Sequence, residues 1–142
     1  MLVSEFLHKK NTPPVTMFPN DRVEHAIQLF KEKKVGAIMV CKPAGDLVGV
    51  ITERDILHDM ATRGAQTLDQ KVEDIMSRAH TCKMDDKIRS VMHQMVLEHV
   101  RHITVVDDGE LKGIISSRDL VKNQLEETQL EIDTMRDYVR AH

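Results

Sequence analysis

The sequence predicts an α+β fold made of two copies of one β-α-β-β-α unit packed as a pseudo-twofold pair, with an extended C-terminal helix. Three observations carry this reading. The chain repeats itself in four matching blocks that occur in the same order in both halves. Within each copy the apolar spacing switches from helical to strand-like and back. Beyond the second copy, apolar residues continue at helical spacing almost to the end of the chain.

The clearest block is Gly45 to Ile56 against Gly109 to Leu120, with Asp55 and Asp119 offset by 64 positions. Upstream, Val35-Gly36-Ala37-Ile38-Met39-Val40 matches Val100-Arg101-His102-Ile103-Thr104-Val105 at an offset of 65, and so does Asp21-Arg22-Val23 against Asp86-Lys87-Ile88. The change from 65 to 64 reflects one extra residue within Lys42-Pro43-Ala44. Val3-Ser4-Glu5-Phe6-Leu7 echoes Val72-Glu73-Asp74-Ile75-Met76 at an offset of 69. The first copy therefore carries four more residues between His8 and Pro14.

The elements follow in order. Short strands are expected around Val15-Thr16 and Thr81-Cys82. Asp21 is an N-cap candidate for a helix that turns Val23, Ala26, Ile27 and Phe30 inward. Asp85 or Asp86 opens the partner helix, with Ile88, Val91, Met92 and Met95 inward. Apolar strands at Ala37 to Cys41 and Ile103 to Val106 run into turns at Pro43-Ala44-Gly45-Asp46 and Asp107-Asp108-Gly109-Glu110. Second strands cover Leu47 to Ile51 and Leu111 to Ile115. Thr52 and Ser116 then cap a second helix in each copy, with Asp55 and Asp119 at the reciprocal capping position three residues on. A unit of about 60 residues buries too little surface to be stable alone, so the two copies are expected to pack face to face. The chain divides into residues 1–69, the first repeat with an N-terminal helix, residues 70–123, the second repeat, and a helical tail at 124–142.

Val121, Leu125, Thr128, Ile132, Met135 and Val139 of that tail fall at alternating spacings of four and three, an a/d seam with Thr128 as its polar interruption. A seam of this length is marginal alone. It can lie along its own repeats, pair with a second subunit or dock a partner; packing in a homodimer is the expected choice, with an unknown client protein as the alternative.

Composition narrows the function. The chain has 142 residues, 20 Lys plus Arg and 23 Asp plus Glu, for a net charge of −3. No basic surplus exists for binding a phosphate backbone, so nucleic acid is not an expected partner. No apolar run approaches the roughly 18 residues of a membrane span, and the first ten residues lack a signal-peptide pattern. A cytoplasmic location without membrane association is expected. Aromatic residues are only 3%, so nine Met with Val, Ile and Leu must fill the core. Cys41 and Cys82 have neither redox nor zinc spacing and read as reduced core residues. His93, His99 and His102 form no metal-ligand pattern, so no metal is expected. No phosphate-binding Gly-rich loop with Lys and no nucleophile–base arrangement is present in the sequence, so the chain does not read as an enzyme.

The two G-[VI]-I-[TS]-x-R-D runs, the Val72-Glu73-Asp74-Ile75-Met76 block and Arg101-His102-Ile103-Thr104-Val105-Val106-Asp107 resemble the CBS-domain family. From Val3 to Lys122 the chain resembles a tandem CBS pair, or Bateman module. That resemblance implies a sensor that binds an adenosine-containing ligand (AMP, ADP, ATP, S-adenosylmethionine or NAD(H)) in two clefts between the repeats. The ligand is regulatory, no cofactor is required, and the response is a conformational or oligomeric change.

By the same resemblance, Asp55 and Asp119 hold ribose hydroxyls. Thr52 and Ser116, at helix N-termini, bind phosphate, helped by Arg54, Arg118, Arg101 and His102. The [ST]-x-x-D pattern also suits plain capping, and the two roles are compatible. The arginines equally suit a subunit boundary or solvent. Arg101 and His102 replace Gly36 and Ala37 of the first copy. The cleft of Asp119 is therefore expected to be the more cationic, with His102 raised in pKa by a bound phosphate. The base is expected close to the backbones near Val15 in the Asp119 cleft and near His80 in the Asp55 cleft; Gly36, Ala37 and Ile38 are further candidates to line the Asp119 cleft, and Ile103 is a further base-pocket candidate. His80 departs from the small apolar residue the family favours there.

Overall fold

A computed structural model describes residues 1–142. In order, the elements are α1 (Val3–Lys10), β1 (Thr16–Met17), α2 (Val23–Lys33), β2 (Ala37–Cys41), β3 (Leu47–Thr52), α3 (Glu53–Arg63), a 3-10 segment (Gly64–Asp69), α4 (Val72–Ile75), β4 (Thr81–Cys82), α5 (Ile88–Glu98), β5 (His102–Asp107), β6 (Glu110–Ser116) and α6 (Ser117–Ala141). Each repeat forms one three-stranded sheet, β1-β2-β3 or β4-β5-β6, with the first pair parallel and the second antiparallel. The registers correspond: Ala37 pairs with Thr52 as His102 pairs with Ser116, and both sheets slip at the same place, Val40/Cys41 and Val105/Val106. The shorter hairpin turns at Asp108 and Gly109, both with positive φ, the primed turn whose twist matches its strands.

The leading helices are exchanged between the repeats. Val3 and Phe6 of α1 lie in the core of the second repeat with Ile88, Val91, Ile103, Val105 and Ile115. Val72 of α4 lies in the core of the first with Met17, Val23, Ile38, Val40 and Ile51. Packing thus crosses the order of the chain. A third cluster, Ala37, Met39, Cys41 and Val50 with Leu111 and Ile114, joins the two repeats. Cys41 and Cys82 are free and buried; burial, with Asp86 nearby, pushes the Cys82 thiol up to about 12.

The exchange corrects the expected caps of α2 and α5. Asp21 and Asp86 do not cap these helices; their carboxylates accept the Phe18 and Lys83 amides and close the preceding turns. Backbone carbonyls from the exchanged segments bond the first helical amides instead: Val23 N–H to Gln70 O at 2.9 Å and Ile88 N–H to Met1 O at 3.0 Å. A sequence pattern cannot reveal a cap supplied by the other repeat. The 3-10 segment was not signalled either; Thr67 within it is fully buried and donates to Asp59 Oδ2 at 2.8 Å.

The expected long C-terminal helix is present over 25 residues. Its seam is open: Val121, Leu125, Ile132, Met135 and Val139 are all exposed.

Candidate functional site

Both [ST]-x-x-D runs form complete capping boxes. Thr52 N–H donates to Asp55 Oδ2 at 2.9 Å, and Asp55 N–H donates to Thr52 Oγ1 at 3.2 Å. The Ser116 and Asp119 bonds are both 3.0 Å. The strand–helix junction therefore fixes each carboxylate at a helix N-terminus, where free amides and the helix dipole favour an anion.

The two carboxylates differ in their second partner. Asp55 Oδ1 accepts a hydrogen bond from the Ser77 hydroxyl at 2.5 Å. Asp119 Oδ2 faces the Lys10 ammonium at 2.8 Å, and Lys10 also donates to Ile114 O at 2.8 Å. Burial alone would raise the Asp119 carboxyl; Lys10 and the Ser116 amide and hydroxyl outweigh it and hold the group below its ordinary value. Lys10 ends the first exchanged helix and Ser77 follows the second, so each donor reaches the repeat opposite to its own in sequence.

A cleft of about 810 Å³ opens beside Asp55. Thr52, Arg54 and Asp55 form one side, Ser77 to His80 a second, and His99 to His102 with Gly36 the third. Arg54, Arg78 and Arg101 outnumber Glu53 and Asp55 on its walls, so its field is positive where the helix N-terminus also points. Arg101 and His102, expected beside Asp119, also line this cleft, because the start of β5 meets the first repeat at the seam; His102 still pairs with Ser116 across the hairpin and lies in the field of Asp119. Gly36 sits with them there, and a Cβ on it would lie 3.3 Å from the His102 ring. Burial lowers the His102 pKa; Asp119 pulls it up, while Lys10 and Arg101 add to the lowering. Burial thus shifts His102 in the direction opposite to the rise expected beside phosphate.

The expected base contacts divide. His80 lines the Asp55 cleft, but its Nδ1 is 2.6 Å from Glu98 Oε2, which draws the ring toward α5; the small wall beside it is Ala79. The side chains of Ile38 and Ile103 are fully buried in the two repeat cores, and Ala37 is buried in the joining cluster. Val15 packs against the first core, and its carbonyl accepts the Met39 amide. Their side chains are spent on packing, as in strands buried on both faces, and it is their backbones that are left to meet a ligand. Arg118 is exposed near Ser116. His93 faces a different groove, with Leu120 and Asn123.

Sequence reasoning missed Lys10, Ser77, Arg78, His58 and His99. The four extra residues after His8 were the available signal for Lys10, and the Val72 to Met76 echo for the residues just after it.

This fold defines a tandem module of two three-stranded repeats with a cleft at their seam. The CBS-domain family model matches residues 3–62 and 72–126, and the chain belongs to that family. It is 31% identical over 127 residues to the CBS domain-containing protein CBSX3, mitochondrial, of Arabidopsis thaliana; the match covers 86% of this chain and 62% of that protein's length. Among solved structures, the CBS domain protein PAE2072 of Pyrobaculum aerophilum, complexed with AMP, is similar with a TM-score of 0.76 and 28% identity over 84% of this chain and 90% of that one. The CBS domain pair of protein MJ0100, in complex with 5'-methylthioadenosine and S-adenosyl-L-methionine, is similar with a TM-score of 0.79 and 26% identity over 89% of this chain and 98% of that one. No helix is long and apolar enough to cross a membrane.

Proposed function

We propose that the chain is a regulatory, non-catalytic module that binds a phosphorylated adenosine nucleotide in the Asp55 cleft. One observation carries the reading. Asp55 holds out to the cleft a carboxylate oxygen whose partner there is a single hydroxyl, Ser77, between arginines on three sides. A ribose hydroxyl replaces the Ser77 hydroxyl like for like. The phosphate then meets the N-terminus of α3, the Thr52 hydroxyl and Arg54, with Arg78 and Arg101 available to further phosphates. The known complexes of two similar folds, with AMP and with S-adenosylmethionine, support an adenosyl ligand. The positive walls favour the anionic member of that pair over the sulfonium.

Calorimetric titration with AMP, ATP, adenosine and S-adenosylmethionine tests this. Phosphorylated ligands should bind more tightly than adenosine, and Asp55→Ala should abolish binding while the protein stays folded. Unchanged affinity in that variant refutes the site.

The reading continues to a cytoplasmic homodimer that transmits occupancy through α6. A second reading is favoured by the open α6 stripe: an interaction module whose clefts stay empty and whose tail recruits a client protein. Failure of every adenosyl ligand to bind would select it.

A further inference from the structure

We propose that Lys10 sets the nucleotide stoichiometry: its ammonium occupies the ribose-binding carboxylate of Asp119 and closes that cleft, leaving one nucleotide site per chain. This rests on the reading of Asp55 as a ribose-binding residue.

The asymmetry begins in the sequence. The four residues by which the first copy exceeds the second reappear as one added helical turn: α1 has eight residues where α4 has four. In the first repeat, the chain leaves α4 early and Ser77 bridges Val50, donating to its carbonyl and accepting from its amide at 2.9 Å each. Its hydroxyl then reaches Asp55. In the second repeat Ile114 replaces Val50, and the longer α1 presents Lys10 there instead. Its ammonium donates to Ile114 O, as the Ser77 amide does to Val50 O, and to the carboxylate of Asp119, there at Oδ2, the capping oxygen.

Lys10 is held there. It is only 20% exposed, and its neighbour Lys9 donates to Asn123 Oδ1 at 2.9 Å and lies 3.6 Å from Glu126, both on α6. Adjacent lysines thus fasten the end of α1 to the first turns of α6.

The chemistry of exchange separates the clefts. At Asp55 an incoming ribose hydroxyl replaces a hydroxyl, a nearly even trade. At Asp119 the ammonium bonds Oδ2, the oxygen that also accepts the Ser116 amide, so a ribose hydroxyl meets a carboxylate already neutralised by a partly buried cation, and displacing that cation would break a charge-assisted bond. The arginine-lined walls also belong to the Asp55 cleft.

Calorimetry with AMP decides the matter. The unmodified protein should bind one AMP per chain, and Asp55→Ala should remove it. Lys10→Ala should bind two, the added site being lost again in Lys10→Ala with Asp119→Ala. Lys10→Arg, which keeps the cation, should still bind one. Lys10→Met, which keeps the packing of the stem, should open the site if Lys10→Ala proves unstable. Two sites in the unmodified protein, or one site in both neutral variants, overturns the inference alone. No AMP bound by any of these proteins overturns the nucleotide reading and this inference with it.

Discussion

A Cβ atom on Gly49 would lie 2.6 Å from the sulfur of Met76 and 3.0 Å from the carbonyl oxygen of Ser77. Gly113, its counterpart, meets the methyl groups of Leu7 at 3.0 and 3.1 Å. At both positions an exchanged segment crosses the outer strand of the sheet closely, and at Gly49 the approach includes a backbone carbonyl that cannot move aside as a side chain can. The first crossing also sets Ser77 on Asp55.

Gly49→Ala should therefore be the more damaging of the two alanine substitutions. Its contacts include a backbone carbonyl that is itself bonded to Val50, whereas Leu7 can shift a side chain. A loss of about 1–3 kcal/mol is expected for Gly49→Ala, and a smaller one for Gly113→Ala, by urea denaturation. Gly49→Ala should in addition weaken AMP binding, because it moves Ser77 and the wall of the cleft. Equal destabilisation by both would contradict the geometry.

Gly36→Ala tests the contact with His102. The added methyl, 3.3 Å from the ring, pushes His102 toward the cleft or the chain away from it. AMP affinity should fall about tenfold, equivalent to about 1.4 kcal/mol, with little change in melting temperature. An unchanged affinity would remove Gly36 and His102 from the site.

Stability should fall on acidification, with His102 making the first contribution. Its folded pKa is lowered by burial, so the unfolded state takes up the proton first. Stability is full above the unfolded value, about 6.5, and declines as pH drops from there through the folded value, by at most about 1.4 kcal/mol per pH unit for one proton. Asp119 acts lower down. Its folded pKa is also depressed, so its contribution is present above about 3.9 and is lost as pH falls through the folded value. His102→Gln should flatten the upper part of this profile, measured by denaturation between pH 7 and 5. An unaltered slope would show that His102 does not titrate differently on folding.

Truncation after Asn123 should weaken a dimer and leave the repeats folded. It removes exposed Leu125, Ile132, Met135 and Val139 but none of the buried core residues. The helix of 25 residues, about 37 Å long at 1.5 Å per residue, can cross a second subunit. Glu126, Glu127, Glu131, Asp133 and Asp137 disfavour two parallel tails, so a tail-on-body or antiparallel contact is expected. Light scattering of both forms measures this. A monomeric full-length chain refutes the dimer, and an equally stable truncated dimer refutes the role of the tail.

The sequence by itself determined what depends on neighbours along the chain. Thr52 with Asp55 and Ser116 with Asp119 are capping boxes because the partners are three residues apart, and any helix starting there brings them together. The hairpins follow from alternating apolar strands around Gly45 and Gly109, and the duplication from matched blocks. Only the tertiary structure decided which repeat each leading helix joins. Val3 and Val72 are equivalent in sequence, and nothing local distinguishes packing at home from packing across. That exchange moved the helix caps from Asp21 and Asp86 to distant carbonyls and brought Ser77 to Asp55 and Lys10 to Asp119. It also took Ile38 and Ile103 for the cores. Contacts between residues far apart in sequence depend on how two surfaces meet, and a repeat pattern that fits both partners equally well carries no record of that choice.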